Sequence, residues 1–367
     1  MNLTINLSHI VANYQLINER VAGGARTAAV VKANAYGLGC VEVAKALVAA
    51  HCREFFVANL DEAVELRSAQ KDVTIYVLDG VTCTTAAAML EHNLIPVLNS
   101  LEQISCWAKS AELHQKALAA CVHLDTGMNR TGLGADETAL LIAEPWRLSP
   151  LNVVLVLSHL ASADLVDSNQ NLEQLSLFRK YRQQLPLGAA SLANSAGTFL
   201  DSAYHFDVVR PGVALYGGNP APHKANPMRQ VVSLTAPLLQ VRNVDRGDRV
   251  GYGATHEFSR KGKVATVPLG YADGFFRSFS NSAFAYVGSV KVPLIGRVSM
   301  DLITLDVSDV ADSALYVGAP VEVLGTQLTV DEVAHNAGTI AHELLAALGN
   351  RYKRCYVYNR SEQTQNK

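Results

Sequence analysis

The sequence predicts an N-terminal (β/α)8 TIM barrel followed by a C-terminal mostly-β domain. Short apolar runs alternate with amphipathic stretches over about the first 220 residues, and strand-like runs without helices fill most of the rest. Apolar strands that alternate with helices are typical of a parallel sheet covered by helices. We count eight such strands, which favours a closed barrel over an open sheet.

The eight predicted barrel strands are short runs rich in β-branched and apolar residues. They are 27–31, 55–59, 74–78, 95–99, 119–124, 152–158, 189–194 and 207–212. Between them, apolar residues spaced three and four apart predict helices, for example at 41–50, 60–70 and 171–185. Pro211 interrupts the last strand, because proline has no N–H to donate within a sheet.

The predicted β-domain covers 229–367. Its strand-like runs are punctuated by Gly, Asp and Asn, and no clear helix precedes about residue 330. One or two helices near the C-terminus are expected to close it. Residues 1–8 are predicted to include a strand that packs back on this domain, which leaves 9–228 for the barrel.

Composition and charge exclude several classes of protein. Of 367 residues, 49% are hydrophobic and 17% charged, which excludes a disordered chain. A net charge of −2 provides no basic field for nucleic acid or for an anionic membrane. No signal peptide or membrane-spanning run is visible. The six cysteines include no C-x-x-C pair, so we expect reduced thiols, no metal site and a cytoplasmic location.

Polar side chains that follow the barrel strands are expected to converge on one mouth, because active sites of such barrels lie at the C-terminal ends of the strands. Lys32 follows the first strand, Arg130 lies in the loop after the fifth, and His159 follows the sixth. A lysine amine in a cleft with little water has a lowered pKa and can react with a carbonyl group. An ordinary lysine at a strand end, and a structural histidine at 159, are the alternatives.

Three further residues fit a phosphate site. Tyr36, Ser195 and Gly212 lie after barrel strands, where hydroxyls and glycine N–H groups commonly bind phosphate. Taken singly, Ser195 also fits a helix cap and Gly212 a turn. Arg210, in the last strand, is a permanent cation that would suit a site near a cofactor nitrogen.

These residues belong to motifs that resemble the alanine racemases. The motifs follow one another in order from about residue 4 to residue 357. They are AVVKANAYGLG (29–39), HLDTGMNRTGLG (123–134), SHLASAD (158–164), ANSAG (193–197), VVRPGVALYG (208–217), GYGATH (251–256), PLGYADG (268–274) and GRVSMD (296–301). The resemblance implies an isomerase that uses pyridoxal 5′-phosphate to interconvert L- and D-alanine. It also implies a homodimer with shared active sites, and a role in supplying D-alanine for peptidoglycan of the cell wall.

The resemblance further implies a role for each site residue. Lys32 would hold the cofactor covalently and act as one of two acid/base groups, and Tyr252 from the partner subunit would be the other. The substrate carboxylate would bind Arg130 and the backbone N–H of Met300. Tyr271 and Asp301 would line the entrance. The cofactor would contact Lys32, Tyr36, Arg130, His159, Ser195, Arg210, Gly212 and Val213.

Within this implied site, Arg210 has two tasks. It would face the pyridine nitrogen without protonating it, because a guanidinium keeps its proton. Acting through His159, its positive charge would also help Tyr252, a weak acid, to lose its proton.

Three positions depart from the family pattern. Leu38 stands where a histidine is usual, and His123 stands where a lysine, often carbamylated, braces the arginine equated with Arg130. Asn350 stands where a tyrosine usually narrows the pocket. We therefore expect some serine racemisation beside that of alanine, unless Tyr352 refills the gap.

Two alternative functions remain open on sequence alone. A related amino-acid decarboxylase would also join a barrel to a β-domain, but it would carry a glutamate where Arg210 stands. A non-catalytic pyridoxal-phosphate-binding protein would lack the second domain, and with it Tyr252 and Met300.

Overall fold

A computed structural model describes residues 1–21, 23–185 and 187–358. Its N-terminal part is a barrel of parallel strands, as predicted. Seven strands are hydrogen-bonded in sequence order within one sheet. They are β3 (Ala29–Val30), β4 (Glu54–Val57), β5 (Thr74–Val77), β6 (Ile95–Leu98), β7 (Leu118–His123), β8 (Leu151–Leu157) and β9 (Ala189–Ser191).

The eighth strand is shorter than predicted. It is β10 (Val208–Val209), which pairs in parallel with β2 (Arg26–Thr27), the segment just before β3. On its other side, the backbone N–H of Arg210 donates to Ala193 O at 2.9 Å. Pro211 ends the strand because it lacks an N–H, although its carbonyl still accepts from Val30 at 3.0 Å. The strand thus connects the first and last strands of the seven-stranded sheet.

Helices surround the barrel and pack their apolar faces against it. The predicted helices 41–50, 60–70 and 171–185 are confirmed to within two residues. Asn59 and Ser100 cap the helices that follow β4 and β6 by accepting backbone N–H groups. Those of the barrel are α1 (Leu7–Val21), the left-handed turn α2 (Lys32–Tyr36), α3 (Cys40–Ala49), α4 (Leu60–Ala69), α5 (Ala86–Glu91), α6 (Leu101–Leu113), α7 (Ala135–Ala143) and α8 (Asn169–Gln184). Two more, α9 (Val330–Asn336) and α10 (Ala341–Ala346), belong to the C-terminal part.

The C-terminal part is mostly β, as predicted, and the chain's first strand pairs with it. β1 (Asn2–Asn6) lies between β11 (Val232–Pro237) and β20 (Lys353–Val357) in a six-stranded sheet. Leu3 and Ile5 on β1 are fully buried. The other strands here are β12 (Gln240–Val244), β13 (Arg249–Val250), β14 (His256–Glu257), β15 (Gly262–Val267), β16 (Phe284–Val287), β17 (Val290–Pro293), β18 (Ile303–Asp306) and β19 (Pro320–Leu324).

The predicted domain limits 1–8, 9–228 and 229–367 stay predictions, and residues 359–367 lie outside the described part of the chain. Among the described residues, no helix is both long and apolar enough to cross a membrane.

Candidate active site

Lys32 begins a left-handed turn at the end of the first barrel strand. Residues 33–36 all have φ between 51° and 56°, which costs about 1–2 kcal/mol for each L-residue. Glu62 stabilises the turn, because its carboxylate accepts the N–H of Ala33 at 2.7 Å and that of Ala58, after β4, at 2.8 Å. Sustained backbone strain of this kind is typical of functional sites. The turn fixes the position of Lys32 at the barrel mouth.

The environment of Lys32 favours its uncharged amine. Burial lowers the pKa of Lys32, and the positive charge of Arg130 acts in the same direction. Glu62 and Asp79 oppose this shift without cancelling it. A lysine whose proton is lost more easily is a better nucleophile, which is what covalent attachment to a carbonyl requires.

Arg210 is held inside the mouth by three acceptors. Its guanidinium donates to Ser191 Oγ, to Ser158 O at 2.6 Å and to His159 Nδ1 at 3.3 Å. Burial lowers the pKa of Arg210 to about 10, so the group is still a cation at neutral pH. Its position is therefore fixed by the ends of β8 and β9.

His159 is neutral and has a defined tautomer. Burial and the charge of Arg210 place the pKa of His159 well below its usual range. A guanidinium can only donate, so Nδ1 of His159 accepts and the ring proton is on Nε2. The Nε2–H group is left to donate to another acceptor.

Ser195, Gly212 and Tyr36 meet at the ends of the last two barrel strands. Ser195 Oγ accepts the N–H of Gly212 at 2.9 Å and that of Ala214 at 3.3 Å. The Tyr36 ring packs on Tyr216 with centroids 4.8 Å apart. Burial raises the pKa of Tyr36 to about 12, which keeps its hydroxyl protonated as a donor. The hydroxyls of Ser195 and Tyr36 are donors that suit a phosphate.

The arrangement fits a cofactor that carries both a carbonyl group and a phosphate. A Cβ at residue 212 would overlap the Tyr36 hydroxyl, so only glycine leaves the space between them. Val213, buried, starts the 3-10 helix that follows Gly212. Lys32 supplies an amine for the carbonyl, and Arg210 a fixed cation.

The loop that carries Arg130 is rigid. The Asp125 carboxylate accepts three backbone N–H groups, from Gly127, Met128 and Asn129, each at 2.9 Å. Below the loop, His123 is buried and pairs through Nδ1 with Asn99 Oδ1 at 2.7 Å. The loop therefore presents Arg130 near Lys32, at a distance over which their charges interact.

The four site residues predicted in the β-domain are exposed, or are paired within that domain. The side chains of Tyr252 and Met300 are 72% and 54% exposed, and Tyr271 is also exposed. Asp301 pairs with Arg351 at 2.8 Å. Within the part of the chain that the structure describes, no hydrogen bond joins these four side chains to the barrel mouth.

The structure shows where residues at or near the departures noted in the sequence lie. Tyr352 is buried and its hydroxyl donates to Asp273 O at 2.6 Å within the β-domain, and the open space beside Asn350 stays a prediction. Asn350 itself is exposed. Leu38 is fully buried in the apolar core, where a histidine would need a polar partner.

Sequence reasoning missed four residues that organise the site. Ser158 and Ser191 hold Arg210, Asn99 holds His123, and Glu62 supports the Lys32 turn. The signal for Asn99 was present, because it is the last residue of the predicted strand 95–99, at the same end of the barrel as Lys32 and His159. Glu62 gave no such signal, since it lies inside a helix and contacts the turn only in the folded chain.

Comparison with protein families identifies two matching models. Residues 5–220 match the alanine racemase N-terminal domain, and residues 231–356 match the alanine racemase C-terminal domain. Together they cover nearly all of the chain.

Individual relatives agree with the family models. An alanine racemase of Rickettsia africae is 46% identical over 354 residues, covering 96% of this chain and 98% of the relative. One of Rhodospirillum rubrum is 46% identical over 355 residues, covering 96% and 95%.

Solved structures agree as well. An alanine racemase of Bartonella henselae with covalently bound pyridoxal phosphate has a TM-score of 0.93 at 39% identity, covering 97% of this chain and 99% of that one. The biosynthetic alanine racemase of Pseudomonas aeruginosa gives a TM-score of 0.90 at 35% identity, with coverage of 97% and 99%.

Proposed function

The chain belongs to the alanine racemase family, and from that premise we propose that Lys32 and Tyr252 exchange the α-proton of alanine on opposite faces of the substrate. The protein is an isomerase that interconverts L- and D-alanine with pyridoxal 5′-phosphate as its cofactor. The residue roles rest on one observation: Arg210 donates to His159, and the charge of Lys32 lies close enough to lower the pKa of that histidine.

The residues at the barrel mouth suit this cofactor. Pyridoxal phosphate, when bound, delocalises the negative charge left on the α-carbon after proton removal. We assign covalent attachment to the Lys32 amine. Phosphate binding is assigned to the Tyr36 and Ser195 hydroxyls and to the backbone at Gly212 and Val213, where the Gly212 N–H donates to Ser195 Oγ in this structure.

Arg210 sets the electrostatics of the site. It would face the ring nitrogen of the bound cofactor as a donor that does not release its proton at neutral pH, because its pKa is about 10. It therefore offers positive charge without protonating that nitrogen. The charge is fixed in place by Ser158, Ser191 and His159.

His159 connects that charge to the second acid/base group. Among the described residues nothing accepts its Nε2–H, which can therefore donate to the phenolic oxygen of a tyrosine, and we assign this acceptor as Tyr252. A donor at that oxygen stabilises the deprotonated form of the tyrosine. Tyr252 then takes the α-proton on one face, and Lys32 Nζ returns a proton on the other, so one proton leaves and one is added.

The substrate carboxylate is assigned to Arg130 and the Met300 N–H. The carbonyl of Ser299 accepts from Tyr271 N at 3.1 Å, which fixes the Ser299–Met300 peptide plane. The two groups of a trans peptide point in opposite directions, so the Met300 N–H faces away from Tyr271. Tyr271 and Asp301 are assigned to the entrance.

A homodimer is part of the proposal, because Tyr252 and Met300 are exposed on a surface that bonds to no barrel residue of the described chain. A two-fold dimer would bring each β-domain to the barrel mouth of the partner. We also propose that the enzyme works in the cytoplasm and supplies D-alanine for peptidoglycan, with 9–228 as barrel and 229–367 as β-domain. Its six free cysteines fit a reducing compartment.

Mixing two inactive variants tests the shared site. Lys32→Ala and Tyr252→Phe are each expected to lack racemase activity as homodimers. After denaturation and refolding together, hybrid dimers contain one site with both native groups, so about one quarter of wild-type activity should return. Each variant refolded alone is the control. No recovery, despite hybrid dimers shown by native mass spectrometry, would refute the assignment of Tyr252 to the partner's site.

A further inference from the structure

Asn99 has only one orientation available to its side-chain amide. Its Nδ2 donates to Leu78 O and to Val97 O, both at 2.9 Å. A carbonyl only accepts, so these two contacts place nitrogen, and not oxygen, on that side. The remaining amide atom, Oδ1, faces His123 Nδ1 at 2.7 Å.

The orientation of Asn99 determines the tautomer of His123. An amide oxygen only accepts, so Nδ1 of His123 must carry the hydrogen. In a neutral ring, Nε2 then holds a lone pair and is an acceptor. His123 is one of the buried polar residues, at 8% exposed, so this acceptor requires a donor nearby.

The Arg130 loop folds directly over this ring. Leu133 N donates to His123 O at 2.8 Å, and Asp125 N donates to Leu133 O at 2.9 Å. Gly132 has a φ of +103°, and a Cβ there would lie 3.1 Å from Cγ and Cδ2 of His123. The loop therefore packs against the imidazole of His123 at Gly132, which is two residues from Arg130.

The charges around the ring keep it neutral. Arg210 and Arg130 are the cations that face it, and Asp125 is the facing anion. Burial, the largest effect, together with the two cations lowers the pKa of His123 to about 4 despite Asp125. The Asp125 carboxylate is already committed to three loop N–H groups. Among the described residues, the Arg130 guanidinium makes no hydrogen bond.

We propose that His123 is a positioning residue, whose Nε2 accepts an N–H of Arg130 while Asn99 holds the ring in that tautomer. The inference rests on the proposed role of Arg130 in binding the substrate carboxylate. A neutral acceptor orients the guanidinium without neutralising it, so its full charge is available to the substrate. An anionic partner would instead share that charge.

Steady-state kinetics of the holoenzyme test this role. His123→Leu removes the acceptor and should raise KM for alanine about tenfold, which corresponds to about 1.4 kcal/mol, with kcat within about twofold of wild type. His123→Gln keeps a neutral acceptor and should restore most of the loss. The matched control is His205→Gln, since His205 is equally buried but bonds to Thr198 O away from the site. An unchanged KM in His123→Leu would overturn the proposal.

A spectroscopic readout is independent of activity. In ¹⁵N spectra of the histidine rings of the cofactor-free protein, His123 should be neutral with its hydrogen on Nδ1 at pH 7. Asn99→Leu removes the acceptor that fixes this tautomer, and the Nδ1–H population should fall. A ring with its hydrogen on Nε2 in the wild-type protein would contradict the inference even if His123→Leu failed to fold.

Arg130→Gln separates this inference from the function on which it rests. If Arg130→Gln leaves KM for alanine unchanged, the proposed carboxylate contact is wrong and the inference falls with it. If Arg130→Gln raises KM but His123→Leu does not, only the inference is wrong. If both raise KM and the double variant is no worse than Arg130→Gln alone, His123 acts through Arg130, as proposed.

Discussion

Replacing Gly212 by alanine should destabilise the protein and weaken cofactor binding. The φ of Gly212 is −119°, outside the left-handed region that favours glycine, so the expected effect is argued from the space around residue 212. A new Cβ would overlap the Tyr36 hydroxyl, and that ring is packed between Tyr216 and His342, at 4.8 Å and 5.8 Å between centroids. Overpacking of this kind costs about 1–3 kcal/mol.

The loss of stability in Gly212→Ala should be measurable both without the cofactor and with pyridoxal phosphate bound. Thermal unfolding should shift down by about 2–4 °C for each kcal/mol, and the Kd for pyridoxal phosphate should rise several-fold. Gly24→Ala is the control, because Gly24 has open space around it and no positive φ. Adding Tyr36→Phe to Gly212→Ala removes the overlapping oxygen and should recover part of the stability. Wild-type Tm and Kd in Gly212→Ala would refute the packing described for Tyr36.

Three further predictions concern the departures from the family pattern. Asn350→Tyr should lower the ratio of serine to alanine kcat/KM about fivefold, because the variant lacks the amide that can hydrogen-bond to the hydroxyl of a serine substrate. An unchanged or higher ratio would contradict this prediction. Wild-type activity should be indifferent to added bicarbonate, because His123 cannot form a stable carbamate; a bicarbonate-dependent rate in CO₂-depleted buffer would show otherwise. The pKa of His123 falls from 6.5 to about 4 on folding, so the unfolded chain binds a proton first as the pH falls. The stability that this residue contributes is therefore fully present above about pH 6.5 and is lost towards pH 4, by up to about 3 kcal/mol. In chemical denaturation, the free energy of unfolding of His123→Gln should fall less than that of the wild-type protein between pH 7 and 4.5.

The fold was largely predictable because the spacing of apolar residues within each short segment shows whether that segment is a buried strand or a covering helix. A strand buried on both sides must be apolar throughout, and a covering helix must place apolar residues three and four apart. The last barrel strand was the exception. Only Val208 and Val209 pair as a strand, because Pro211 cannot donate, and its carbonyl bond to Val30 depends on barrel closure.

The site was only partly predictable. Lys32 and His159 follow strands, so the barrel rule found them, and the same rule applied to the fourth barrel strand, β6, points to Asn99. The left-handed turn at 33–36 could not be predicted. Asn34 tolerates the left-handed region, but Ala33, Ala35 and Tyr36 do not favour it, and it is the carboxylate of Glu62, distant in sequence, that holds the turn.

Proton exchange with solvent in Tyr252→Phe tests the two-base claim most directly. Incubating the variant separately with L- and D-alanine in D₂O, and following loss of the α-hydrogen by NMR, reports each face of the substrate. With Lys32 intact, one enantiomer should exchange its α-hydrogen without inversion, while the other does not exchange and racemisation falls by about 10²–10⁴-fold. Exchange of both enantiomers at near wild-type rates, with racemisation retained, would contradict the assignment of Lys32 and Tyr252 to opposite faces.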